Sequence, residues 1–428
     1  MEIRNFSGLM LQTMSSGWIR LGACLMVIVL YSVNAFSQNR ISGRVIHEAS
    51  GEPVPYASVY FANTTFGSST DNNGNFLFTN FPPGKYDLSV TFVGYKPHQQ
   101  AVEFGTDQSL QVDIVLSELV TELYSVTVKP DTTHWRRNYE EFTYHFLGTS
   151  RYAENAIIRN ASDIHLFYDA GTATLVAHAR NPIIIDNTLT GYRIYYHLHH
   201  FEYVARERIL TIFGIPRFER LQPKSAAEQK RWERNRKAVY EGSMLHFTRA
   251  WLAQQWQEQG FRVARLYRIP NKERPSDEFL TAKINALRKQ LTRVEQNGIL
   301  PLKGNSVLTD SLTYYAKLRD QPREIDSVAN ESLSGAEFTM SASPEFKNFQ
   351  GILQVTYRKN EELRYAESQG RSDTIRKQQS VVHILQPLKL YGNGYYEDVK
   401  SMFIEQYWSW SEKISTLLPL DYEPPLGR

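Results

Sequence analysis

Between residues 40 and 116 the chain is cut into short runs of alternating apolar and polar residues, at 41–46, 57–61, 75–79, 86–92 and 110–116. A strand turns successive side chains to opposite faces, so each run can bury one face and wet the other, and no helix fits this segment. Between the runs stand Gly51-Glu52-Pro53, Asp71-Asn72-Asn73-Gly74 and Pro82-Pro83-Gly84, which supply the fixed and positive φ values of tight connections. Short strands at this spacing predict a sandwich of about seven strands over residues 40–116. The segment 71–74 reads as a hairpin turn that leaves Phe76 and Phe78 on one face. A calcium loop is excluded, because an EF-hand loop needs Gly sixth and Glu twelfth, where Phe76 and Pro82 stand.

Five blocks occur in order here: Ile41-Ser42-Gly43-Arg44-Val45, Pro53-Val54-Pro55-Tyr56-Ala57-Ser58-Val59, Thr70-Asp71-Asn72-Asn73-Gly74-Asn75-Phe76, Pro83-Gly84-Lys85-Tyr86-Asp87-Leu88 and Val93-Gly94-Tyr95. On these blocks the segment resembles the carboxypeptidase-regulatory-like, transthyretin-like domain. That family is an accessory sandwich beside zinc carboxypeptidases and at the N-terminus of many TonB-dependent outer-membrane receptors, so the resemblance implies a non-catalytic module. Leu123-Tyr124-Ser125-Val126-Thr127-Val128 resembles the extended segment that follows the sandwich in such receptors. A receptor barrel of about 22 strands, each of about 10 residues, needs far more chain than follows.

Ahead of the sandwich, Arg20 is followed by an apolar run at 21–33 and then by Ala35-Phe36-Ser37. This is a secretory layout with small residues where a signal peptidase reads, so residues 1–37 are expected to be a signal peptide cleaved before Gln38. Spanning a bilayer takes about 20 apolar residues, so no transmembrane span is expected after cleavage. The single cysteine, Cys24, lies in Leu21-Gly22-Ala23-Cys24, which resembles a lipoprotein box, but Arg20 interrupts the apolar run that should precede it. Its removal with the signal peptide excludes disulfides and thiol chemistry. The reading is an exported protein, periplasmic or associated with the outer membrane. The 48 Lys and Arg against 45 Asp and Glu leave a net charge of +3, too small and dispersed for a nucleic-acid partner.

After a connector at 117–155 that is expected to become a helix or extended strap, residues 156–428 alternate strand-like and helix-like stretches. Strands are expected at 163–168, 174–178, 182–186, 192–204 and 208–213, and strand patterns return from 305 to 386, notably at 351–358 and 374–385. Helices are expected at 225–237, at 244–256 with Leu245, Thr248, Leu252 and Trp256 in one stripe and Trp251 beside it, and from Ser276. In the last, Ser276 is the N-cap, Leu280, Ile284, Leu287, Leu291 and Val294 share a face, and Asn297-Gly298 closes it. Helices bracketed by runs of strands predict an α+β domain with a mostly antiparallel sheet. This region also resembles uncharacterised exported bacterial proteins that carry the same sandwich, through Phe146-Leu147-Gly148-Thr149-Ser150, Asn181-Pro182, Thr190-Gly191-Tyr192-Arg193, Lys230-Arg231-Trp232 with Asn235-Arg236, and Leu417-Leu418-Pro419-Leu420-Asp421-Tyr422.

The densest set of possible metal ligands is His197, His199, His200 and Glu202, in which His199-His200-Phe201-Glu202 has the His-x-x-Glu spacing of zinc carboxypeptidases. On a regular strand His197 and His199 share one face while His200 and Glu202 share the other, so only a bulge would let His199 and Glu202 reach one ion. His246 and His383 are spare ligands that nothing in the sequence brings near. The run 224–237, with Lys230, Arg231, Arg234, Arg236 and Lys237, can touch an anionic surface or stand as a solvated helix face. Tyr407, Trp408 and Trp410 can stack on a sugar or close a core. No phosphate loop, nucleophile elbow or His-Glu-x-x-His motif occurs. The expectation is therefore a non-enzymatic envelope protein without a cofactor that docks or binds a protein or glycan. The alternative is a metal-dependent hydrolase built on His197, His199 and Glu202.

Overall fold

A computed structural model describes residues 39–119, 134–296, 306–329, 351–361, 363–368, 377–386, 388–397 and 402–425. The expected signal peptide, the segment 121–128 and the closing pair Asn297-Gly298 lie outside these residues. The first unit has eight strands rather than about seven: β1 (Asn39–His47), β2 (Ser58–Phe61), β3 (Gly67–Ser69), β4 (Asn75–Phe81), β5 (Gly84–Thr91), β6 (His98–Phe104), β7 (Ser109–Gln111) and β8 (Ile114–Leu116). β1 pairs antiparallel with β4 and parallel with β7 and β8, and the facing sheet runs β3-β2-β5-β6. Between the sheets Phe61 is ringed by Phe78, Phe81, Tyr86 and Phe104, with centroids 4.5–6.2 Å away, a packing that adds to the plain burial of apolar area. Asp71 closes the predicted hairpin by accepting the amides of Asn73 at 2.9 Å and Asn75 at 2.8 Å.

The segment 117–155 includes a helix that contributes to a core. Helix α1 (Trp135–Leu147) buries Phe142 and Phe146 against a second sheet. That sheet comprises β9 (Ala156–Ile158), β10 (Ile164–Asp169), β11 (Thr174–Ala179), β12 (Ile183–Asn187), β13 (Tyr192–Val204) and β14 (Ile209–Arg220), in the order β10-β11-β13-β12-β9 with β14 on β13. Every pairing in it is antiparallel.

Helices α2 (Ala226–Tyr240) and α3 (Met244–Leu252) start where Ser225 and Ser243 accept the amides of Glu228 and His246, satisfying N–H groups that the first turn leaves without partners. α3 buries Met244, Phe247, Thr248 and Trp251, so of the expected positions Thr248 and Trp251 are buried while Leu245 and Leu252 are half-buried. It ends at Leu252, and Gln254 then takes φ 57°, so Trp256 reaches the same core from a loop.

β15 (Phe261–Pro270) leads into a helical hairpin, α4 (Asp277–Gln296) and α5 (Ser306–Asp320), and then β16 (Glu324–Val328). α4 has the expected cap, Phe279 N–H donating to Ser276 Oγ at 3.3 Å, and buries Leu280 and Ile284. α5 corrects the expectation that strands resume at 305. Its β-branched and aromatic content suggests a strand, but the half-buried Leu308, Ser311, Leu312, Tyr315 and Ala316 keep a helical period.

The chain continues through β17 (Gly351–Glu361), α6 (Leu363–Ser368), β18 (Lys377–Ile384), β19 (Lys389–Leu390), β20 (Tyr396–Glu397), β21 (Met402–Gln406) and α7 (Tyr407–Ser411). The third sheet, β16-β15-β17-β18-β21, is antiparallel throughout and carries its own core with α3 and α7. The fold is thus mixed, an all-β sandwich followed by α+β structure with antiparallel sheets.

The sandwich is locked to the rest of the chain. β2 is buried on both faces: Val59 and Phe61 point into the sandwich, while Tyr60, 1% exposed, stacks on His197 at 6.3 Å beside Arg217. In the β2–β3 turn Asn63 N–H donates to the Pro216 carbonyl at 2.7 Å and Phe218 N–H donates to the Thr64 carbonyl at 3.0 Å. From the far end of the chain Leu420 N–H donates to the Asn63 carbonyl at 2.6 Å. Asn393 and Tyr395 donate to the Lys85 carbonyl and the Asp87 carboxylate at 2.8 and 3.1 Å.

Candidate functional site

The blocks of the second region meet in two places. At the first, helix α2 clasps the turn between β12 and β13. Trp232 Nε1, Asn235 Nδ2 and Arg236 Nε donate to the carbonyls of Thr188, Leu189 and Thr190 at 2.8, 2.8 and 2.6 Å, and the Arg236 guanidinium lies 4.3 Å from the Tyr192 ring centroid. Gly191, at φ 69°, lets the Trp232 ring sit where a Cβ would stand 2.3 Å from it. Asp186 on β12 is held below the usual carboxylate range by the Arg193 guanidinium first and by Arg159. Arg236 in the basic run thus has a structural partner, whereas Lys230, Arg231 and Arg234 remain on the outer side of α2, with Arg231 paired to Glu228.

At the second meeting point, residues 146–150 pack against residues 410–415. Ser415 Oγ donates to the Leu147 carbonyl at 2.6 Å, Asn187 Nδ2 to the Ser415 carbonyl at 2.7 Å, and Trp410 Nε1 to Thr149 Oγ1 at 2.9 Å. Between them opens a cleft of about 370 Å³ with a polar lining and an aromatic floor. Tyr365 and Trp410 form the floor, their centroids 5.5 Å apart, and Tyr144, His145, Glu405, Gln406 and Lys413 stand around it.

The charged groups of the cleft are tuned by burial. The His145 imidazole lies 3.6 Å from the Tyr203 ring centroid, and burial first, then Lys413, lowers its pKa to about 4. Burial lowers Lys413 to about 8, so it still carries its charge at neutral pH. Glu405 is oriented by Arg268 at 2.6 Å and His383 at 2.9 Å. Gln406 sits at φ 65°, ψ −129°, a conformation that side chains with a Cβ rarely adopt and that accumulates at functional sites. Sequence reasoning missed Tyr144, His145, Tyr365, Glu405, Gln406 and Lys413, because only the tertiary fold joins them. Trp410 was the signal.

The other two aromatics of that group lie elsewhere. Tyr407 and Trp408 belong to the third-sheet core, where Trp408 Nε1 donates to the Gly242 carbonyl at 2.8 Å. Trp410 alone of the three reaches the cleft.

The histidine strand does contain a bulge. The β13–β14 register shifts between Leu198 and His200, leaving His199 without an opposite residue. The inward set therefore changes from Tyr192, Ile194 and Tyr196 to Phe201, which turns Glu202 to the outer face with His197. His197 is occupied by Tyr60 at the seam, and burial, aided by His199, lowers its pKa to about 4. His199 lies against Phe213 at 5.5 Å. His246 is buried on α3 with Nε2 2.8 Å from Gln259 Oε1, and His383 pairs with Glu405. Among the described residues no three His, Cys, Asp or Glu come close enough to hold a metal ion, and no helix is long and apolar enough to cross a membrane.

With the sandwich and its blocks in place, the comparison with known families is direct. Residues 41–128 match the CarboxypepD_reg-like domain family. A curated relative is the TonB-dependent receptor SusC of Bacteroides thetaiotaomicron, 32% identical over 123 residues, which are 28% of this chain and 12% of the receptor. The chain therefore matches only a small part of that protein's length. Solved structures with a similar portion include a chain of a type II Cohesin-X-Dockerin complex from Acetivibrio cellulolyticus, at 21% identity over 19% of this chain and 58% of that chain with a TM-score of 0.17. Another is the pilus 2b backbone protein of group B streptococcus, at 14% identity over 18% of this chain and 40% of that chain, again with a TM-score of 0.17. Scores this low bear on no functional question. The CarboxypepD_reg-like domain supplies Tyr60, Asn63 and Asp87 to the seam, and among the described residues none of it lines the polar cleft.

Proposed function

We propose that this is an exported, non-catalytic protein of the cell envelope that binds a glycan in the cleft between α1 and the third sheet. The CarboxypepD_reg-like domain acts in cis as a brace that fixes the body, and the body carries the binding surface. One observation carries the reading: the Tyr365 and Trp410 rings floor a cleft rimmed by Glu405, Gln406 and Lys413. Sugar rings present C–H faces that pack on aromatic rings, and hydroxyls that take paired donors and acceptors from carboxylate, amide and ammonium groups. The envelope assignment is supported by the secretory pattern of residues 1–37 and by the family match shared with an envelope receptor.

A glycan array probed with the mature chain tests the proposal, with Trp410→Ala as the comparison. Binding of at least one glycan class, weakened tenfold or more in Trp410→Ala while the melting temperature holds, is the expected result. No glycan hit, or hits that Trp410→Ala leaves unchanged, would remove the glycan. Hydrolysis of a peptide or ester library that disappears in His199→Ala would overturn the non-catalytic assignment.

A further inference from the structure

The seam between sandwich and body holds a second, half-open cavity, of about 380 Å³, remote in composition from the polar cleft. Three parts of the chain build it, with Ala62 and Asp87 from the sandwich, Ile215 from β14, and Leu245, Glu412 and Leu418 from the body. Its size falls in the range of about 300–1,000 Å³ in which small-molecule pockets lie. Most of its lining surface is apolar, from leucine and aromatic side chains, with Asn63, Gln99, Ser243, Thr248 and Thr416 interspersed. Among the described residues that line it are two carboxylates and no lysine, arginine or histidine.

The carboxylates have fixed surroundings. Glu412 Oε1 accepts the Met244 amide at the start of α3 at 3.0 Å, and its charge is felt at Tyr396, which also lines the cavity. Asp87 accepts the Tyr395 hydroxyl, and its neighbour Lys85 is paired with Glu397. Arg249, the nearest guanidinium on α3, is bound by the carbonyls of Asn393, Leu420 and Tyr422. A charged carboxylate against an apolar wall calls for a positive partner, and Lys85 and Arg249 already have theirs.

We infer that the junction cavity is a ligand site for a small amine, whose ammonium group pairs with Glu412 while its apolar body lies along Leu245, Ile215 and Leu418. Burial raises the Glu412 pKa to about 7, so near neutral pH an arriving cation displaces a proton from it. Affinity then rises with pH through that value. The site is independent of the glycan cleft, which contains neither Glu412 nor Asp87.

Calorimetric titration of the full mature chain with phenethylamine and hexylamine, set against phenethyl alcohol and hexanol, tests this. At pH 8 the amines bind saturably and at least tenfold more tightly than the alcohols, and at pH 6 amine affinity is about tenfold lower. Glu412→Gln reduces the amines to the level of the alcohols. Leu418→Trp, which fills the cavity without touching the carboxylate, abolishes both. Equal affinity for amine and alcohol in the unaltered protein, no saturable amine binding at pH 8, or amine binding that survives Leu418→Trp would each overturn the inference.

Discussion

Asp421 accepts both the backbone amide of Thr65, at 2.7 Å, and its hydroxyl, although the two residues are 356 positions apart. The turn that holds Asp421 is thereby fastened to the β2–β3 turn of the sandwich, and Arg220 approaches the same carboxylate at 4.0 Å. Removing the side chain leaves a half-buried amide and hydroxyl without acceptors, a loss of about 1–3 kcal/mol. Asp421→Ala is therefore expected to lower unfolding stability by that amount in urea titrations and to speed hydrogen exchange at the Thr65 amide. Unchanged stability and unchanged exchange at Thr65 would mean that the sandwich is held without this contact.

His197 gives the same seam a pH dependence. Its pKa is about 4 in the fold against about 6.5 in an unfolded chain, so below pH 6.5 the unfolded state binds the extra proton. Stability is complete above pH 6.5, falls as the pH drops from 6.5 to 4, and levels off below 4, with a loss of roughly 1–3 kcal/mol from this residue. His145, also near 4, adds a second contribution in the same window and direction. Urea unfolding at pH 7.5, 5.5 and 4 checks this, and His197→Gln should remove its share of the slope. Parallel curves for variant and parent would show that Tyr60 does not hold the imidazole neutral.

The sandwich was legible because strand alternation and turn chemistry are local: Asp71 to Gly74 closes its own hairpin through its own side chain. The α4 cap was legible for the same reason. α5 was misread because Tyr314, Tyr315 and the β-branched residues before them carry strand propensity, which a helical pattern of burial overrides. The site was legible only in Trp410. Its companions Tyr144, Tyr365 and Glu405 come from three separate elements, and no spacing in one dimension marks residues that meet only after two cores have formed. The bulge at His199 was equally invisible, since a one-residue register shift leaves no mark in composition.

The close fit of Gly191 under Trp232 predicts a large effect from one methyl group. A Cβ there would stand 2.3 Å from the indole carbons, and φ 69° is unfavourable for any side chain. Gly191→Ala must move Trp232, whose Nε1 bond to the Thr188 carbonyl anchors α2. A loss of about 2–4 kcal/mol is expected, together with a red shift of tryptophan emission as the ring leaves its pocket. A loss below about 1 kcal/mol with unchanged emission would show that α2 is held by Asn235 and Arg236 without it.

Gln406 separates stability from binding. Its backbone at φ 65°, ψ −129° is one that glycine adopts without steric cost, and strain of this kind amounts to about 1–3 kcal/mol. Gln406→Gly relieves that strain but adds chain entropy to the unfolded state, roughly 0.5–1 kcal/mol, so a net gain of up to about 2 kcal/mol is expected in urea or thermal unfolding. The same change removes the amide that lines the cleft beside Trp410. If the strain serves to aim that amide at a ligand, the variant melts higher and binds its glycan more weakly. A variant that is both more stable and equally avid would show that the unusual backbone belongs to the turn between β21 and α7 and takes no part in recognition.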